Sequence, residues 1–70
     1  MSAYLGAAEN RIIKSYIDRS KYKHKDLAAA IGLQAYSFSE RYRGIVRWKL
    51  SEIQSLAEVL GVNAADLIGW

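Results

Sequence analysis

Apolar side chains return every third or fourth position along most of this chain, which is the period of an α-helix and not of a strand. Between Ala7 and Arg19, Ala8, Ile12 and Tyr16 form one stripe with Ile13 and Ile17 beside it. This predicts a first helix with a broad inward face. The polar run RSKYKHK then interrupts the pattern, and its Tyr22 is placed to staple the next helix by packing on the first turn. A second helix is expected from about His24 to Ile31, with Leu27, Ala28 and Ile31 on a narrow face of low bulk. Gly32 follows, where a helix end favours a residue that tolerates positive φ. A third helix should run from Gln34 to near Arg43 and stop at Gly44. Beyond the loop GIVRWK, Leu50, Ile53, Leu56, Ala57 and Leu60 mark a fourth helix that Gly61 ends. The closing stretch NAADLIGW opens with Asn63 as an N-cap, and Asp66 in the first turn suits the helix dipole.

These elements make the fold class all-α. GIVRW has some β character, but it is too short and isolated to build a sheet. No repeat, linker or low-complexity tract divides the 70 residues, so 1–70 reads as one domain. The chain has no cysteine, which excludes a disulfide framework and a cysteine-based zinc site, and one histidine, His24, supplies no metal-ligand set. No metal or cofactor is expected, nor a small-molecule ligand. Catalysis has little to stand on, with no nucleophile–His–carboxylate set and no phosphate-cradling glycine loop, so the protein is not expected to be an enzyme. No stretch approaches a membrane span or a secretory leader, and a cytoplasmic location with no membrane partner is the expectation.

Charge changes the picture more than composition does. The net charge of +3 hides an uneven distribution. All ten Lys and Arg residues lie between Arg11 and Lys49, where only Asp18, Asp26 and Glu40 oppose them. Glu52, Glu58 and Asp66 follow as an acidic tail. Such a division suits a polyanion on one face and leaves another turned away from it.

The junction at Gly32 makes that partner specific. Two helices joined by a short glycine-bearing turn form a helix-turn-helix unit, here about residues 24–43, whose second helix enters the DNA major groove. Ala28 is small where the helices should approach closely, and Leu27, Ile31, Leu33 and Phe38 are apolar where the unit should face a core. At about 100° per residue, with Phe38 facing inward, Tyr36 points roughly 160° away, Arg43 roughly 140° and Ser39 roughly 100°. Glu40 lies roughly 160° away on the other side. Trp48 reads as a loop anchor packed on the core.

The stretch LAAAIGLQAYSFSERYRG, followed by LSEIQSLAEVLGVNAADLI, resembles the lambda repressor/Cro (Xre-like) helix-turn-helix family over roughly residues 8–68. The resemblance implies a compact five-helix lambda-repressor-like DNA-binding domain that binds double-stranded DNA sequence-specifically and regulates transcription. By position, the family's base-reading sites fall on Gln34, Ala35, Tyr36, Ser39 and Glu40. Its phosphate contacts fall on Lys23, His24 and Lys25 at the start of helix two, and on Arg43, Arg47 and Lys49 after helix three. It further implies a two-fold operator, a phage- or prophage-type repressor or Cro-like role, and a homodimer that forms appreciably only on DNA. With 70 residues, such a dimer is expected to use the C-terminal helix, where Leu67, Ile68 and Trp70 read either as the last piece of the core or, the reading favoured, as an exposed dimer patch. Three departures stand out. Lys23-His24 replaces a capping Ser or Thr followed by Gln, Arg41-Tyr42 replaces an aliphatic residue and Glu, and Trp48 occupies the loop where a proline is usual. The alternatives are a protein-interaction module of antitoxin or anti-repressor type and an architectural or recombination DNA binder.

Overall fold

The computed structural model describes residues 7–68, so Trp70 lies outside the described residues. Five helices follow one another: α1 (Ala7–Arg19), α2 (His24–Ala30), α3 (Ala35–Tyr42), α4 (Leu50–Leu60) and α5 (Ala64–Ile68). The all-α, five-helix architecture is as expected, with α2 and α3 slightly shorter than the pattern suggests. Ile31 leaves helical geometry at φ −105, and Gln34 is extended at φ −73, ψ 153 as the N-cap of α3.

The core is built where the elements meet. α1 packs on α3 and α5, α2 on α3 and α4, and α4 on α5. Ile13, Ile17, Leu27, Phe38, Trp48, Ile53, Leu56 and Leu67 are fully enclosed. Full burial of such side chains stabilises by about 1.5–3 kcal/mol each, against typically about 1 kcal/mol for a helix cap. Phe38 meets the Trp48 ring edge-on, with centroids 5.5 Å apart and planes at 81°. On α1 it is Ile13 and Ile17 that enter the core, while Ile12 and Tyr16 are only half-buried.

The turn between α2 and α3 follows from Gly32. At φ +80 this glycine occupies the left-handed region, where a Cβ costs roughly 1–2 kcal/mol. The Gly32 N–H donates to the Ala29 carbonyl (3.2 Å) and the Leu33 N–H to the Ala28 carbonyl (2.8 Å). These paired bonds satisfy carbonyls that the end of a helix otherwise leaves open. Leu33 then folds back against the core. Ala28 is buried at the close approach, as its size predicts.

Two expectations are corrected. Tyr22 remains 52 % exposed and lies outside the packed core, so it does not act as the expected staple on α2. Leu67 has no exposed surface, because α5 lies against both α1 and α4. A side chain committed to the core cannot also present itself to a partner, so Leu67 is removed from the candidate dimer surface. Ile68 is half-buried.

Candidate nucleic-acid interface

The outward surface of α3 begins at its first turn. Gln34 and Ala35 are exposed, and the Tyr36 ring is 65 % exposed with no packing role. Ser39 and Glu40 are half-buried along the same helix. The Glu40 carboxylate has no ion-pair partner among the described residues. Its main-chain oxygen, however, accepts the N–H groups of Ile45 (2.9 Å) and Val46 (3.3 Å), which folds the following loop back onto α3. Gly44, at φ +83, makes that reversal possible.

Arg43, Arg47 and Lys49 all point to solvent from this loop. Arg43 is the most restrained, with its Nε donating to the Ser39 carbonyl at 3.4 Å. None of the three is neutralised by an acid within the described residues. The loop is therefore a short cationic ridge beside the polar face of α3.

At the start of α2, Lys23 and Lys25 are exposed. Lys23 stands at the N-cap without a side-chain cap, as its chemistry requires, since an ammonium accepts no hydrogen bond. His24 is also exposed, but its ring leans on aromatic neighbours, 4.4 Å from the Tyr42 centroid and 5.4 Å from that of Phe38. α2 and α3 thus share an aromatic joint beneath the basic residues.

The departures at Arg41 and Tyr42 prove to be structural. The Arg41 Nε donates to Glu52 Oε1 at 3.0 Å, with both side chains largely covered, and its Nη1 donates to the Ser37 carbonyl. An ion pair from α3 to α4 thus stands where the family pattern has an aliphatic residue. Tyr42 reaches back to α1, donating its hydroxyl to Asp18 Oδ1. The Lys14 ammonium lies 5.0 Å from the Tyr42 ring centroid. The hydrogen bond to Asp18, then burial, then the charge of Asp18 hold the Tyr42 phenol above its usual pKa.

Trp48 is buried, as expected of a loop anchor, and its Nε1–H donates to Asn10 Oδ1 at 2.9 Å. Asn10 was not singled out from the sequence. The available signal was its spacing: it sits three and seven positions before Ile13 and Ile17, a polar residue continuing a buried stripe.

The structure thus gathers Gln34, Ala35, Tyr36, Ser39 and Glu40 on α3 with Arg43, Arg47 and Lys49 immediately after it. Lys23, His24 and Lys25 stand at the start of α2, where the His24 ring lies against Tyr42 at the end of α3. Among the described residues no group of His, Cys, Asp and Glu could hold a metal ion, and no helix is long and apolar enough to cross a membrane.

The fold is shared with a known structure. A solved structure of the SOS-response transcriptional repressor LexA from Eubacterium rectale is similar over 90% of this chain and 71% of that one, with 27% identity and a TM-score of 0.73. No curated protein sequence matches. Residues 12–70 match the Cro/C1-type helix-turn-helix DNA-binding domain. With a glycine-closed helix pair, a polar face on its second helix and a cationic loop beside it, the chain belongs to the Cro/C1-type helix-turn-helix DNA-binding family.

Proposed function

We propose that this protein is a transcriptional regulator that binds a specific duplex DNA sequence by laying α3 in the major groove. The observation that carries the reading is the outward face of α3. Tyr36 there is a large aromatic residue with no structural employment, flanked by Gln34 and Ala35 and continued by the cationic ridge of Arg43, Arg47 and Lys49. The Tyr36 ring suits the methyl group of thymine, and the Gln34 amide suits adenine or a phosphate. Ser39 bonds several base edges, and Ala35 allows close approach. Glu40 accepts from cytosine N4, the contact that relieves its repulsion from phosphate.

Lys23, His24 and Lys25 at the start of α2 and Arg43, Arg47 and Lys49 after α3 grip flanking phosphates, setting register and affinity but little sequence preference. If about six phosphates are neutralised, affinity falls by roughly three decades between low and moderate salt. Its role is binding, not catalysis, in the cytoplasm, and repression by operator occupancy is the simplest mode for such a domain. A two-fold operator would join two copies near Ile68, with Leu67 excluded by its burial.

Selection from a randomised duplex library at near-physiological salt tests this. An enriched inverted repeat with half-sites about one helical turn apart supports a dimeric operator binder, and a single short site supports specific recognition by a monomer. Tyr36→Ala should then lose about tenfold or more in affinity for the selected site. Binding without enrichment would replace this reading with an architectural role, and no binding at all with a protein-interaction module.

A further inference from the structure

Asn10 touches both ends of the segment that follows α3. Its Nδ2 donates to the main-chain oxygen of Tyr42 at 3.3 Å, while its Oδ1 accepts the Trp48 Nε1–H at 2.9 Å. The partners dictate this orientation of the amide, because a carbonyl only accepts and an indole N–H only donates. The Tyr42 carbonyl belongs to the last turn of α3, which has no partner for it within the helix. Gly44 passes close by: a Cβ built on it would lie 3.4 Å from Asn10 Nδ2.

The far end of the same loop is held from α4. Glu52 Oε1 accepts the Lys49 N–H at 2.9 Å and the Arg41 Nε–H at 3.0 Å. Residues 42–49 are therefore tied to α1 at two points and to α4 at a third. The loop's charged side chains, Arg43, Arg47 and Lys49, reach outward.

We propose that Asn10 is a positioning residue for DNA binding, holding the α3 C-terminus and the cationic loop in the geometry that meets the phosphate backbone. This rests on the reading of α3 and its loop as the DNA-contacting surface. The residue type is demanding. Aspartate keeps the bond to Trp48 but turns a negative charge on the Tyr42 carbonyl, glutamine is one methylene too long, and leucine makes neither bond. Without the clamp the loop samples many conformations, and cations that are not already in place contribute less than whole phosphate contacts.

Asn10→Leu and Trp48→Phe in the whole chain test the proposal. Neither changes the charge of the protein, so a changed salt dependence cannot come from an added or deleted charge. Affinity for a selected duplex is measured across a salt series, below the melting temperature, where circular dichroism shows each variant folded. Both variants should lose roughly tenfold in affinity, with a salt slope shallower by about one. A role confined to folding would lower the melting temperature and leave the slope of the folded protein unchanged. Should Asn10→Leu fail to fold, Trp48→Phe decides, since it keeps an aromatic ring in the core and deletes only the donor and part of the ring. Wild-type slopes in the folded variants beside a reduced slope in Arg43→Ala would overturn the proposal alone. An unchanged slope in Arg43→Ala would overturn the reading of the loop, and the proposal with it.

Discussion

The two ends of the helix-turn-helix unit close by the same backbone chemistry and are held by opposite means. After α2, the N–H groups of Gly32 and Leu33 bond back to Ala29 and Ala28; after α3, those of Gly44 and Ile45 bond back to Arg41 and Glu40. Both glycines sit near φ +80. Leu33, however, packs against the core, whereas the equivalent Ile45 is 63 % exposed. The first turn is sealed by an apolar contact supplied by its own next residue. The second has no such seal and depends on Asn10, 32 positions from Tyr42 in the chain. The turn that fixes the angle between the helices is thus self-contained. The turn that leads into the cationic loop is set by the rest of the fold.

The largest effect should come where both turns share a support. Phe38 touches His24 on one side and Trp48 on the other, and Phe38→Ala should lose about 3–5 kcal/mol in a urea melt. A loss under 1 kcal/mol would mean the turns do not share a core. Next, Leu33→Ala should cost about 2 kcal/mol, while Ile45→Ala should stay within about 0.5 kcal/mol of wild type. Equal costs for the two would erase the distinction between sealed and unsealed turns.

Gly32→Ala and Gly44→Ala should each destabilise by roughly 1–2 kcal/mol, since both require positive φ. They should part company on DNA. Gly44→Ala strains the turn that leads into the cationic loop, so its folded form should bind more weakly than that of Gly32→Ala at matched salt. Identical binding by the two folded variants would count against any special link between Gly44 and the loop geometry.

A smaller loss than at either glycine belongs to the Tyr42 hydroxyl. Tyr42→Phe should cost about 0.5–1 kcal/mol near neutral pH through loss of the bond to Asp18. The phenol's pKa is raised in the folded state, so its contribution is complete below the unfolded value of about 10 and disappears as pH rises through the folded value. Thermal melts of the two proteins should therefore converge only in strong alkali. A difference that grows with pH would contradict the sign of the shift.

Much of this was legible in the linear chain because helix period, helix-stopping glycines and charge segregation are local properties. Ala28 before Gly32, the Leu50–Leu60 stripe and the outward placement of Tyr36 and Arg43 all follow from spacing alone. The misreadings fall where two distant segments compete for one side chain. Tyr22 stays 52 % exposed while other side chains close the core. Leu67 went to the core because α1 and α4 both close on α5. Arg41, a departure at the level of sequence, found Glu52 eleven positions away.

Asn10 and Trp48 carry the same lesson furthest. That Trp48 would anchor the loop could be read from its bulk and its surroundings. Which polar group would receive its indole N–H could not, because the acceptor lies 38 positions earlier, on another helix. Helices, their ends and the basic side of the molecule were settled by interactions within a few residues. The burial of Leu67, the Arg41–Glu52 tie and the Asn10 clamp were settled only by packing, since hydrogen-bond partners and enclosure are properties of residues brought together by the fold.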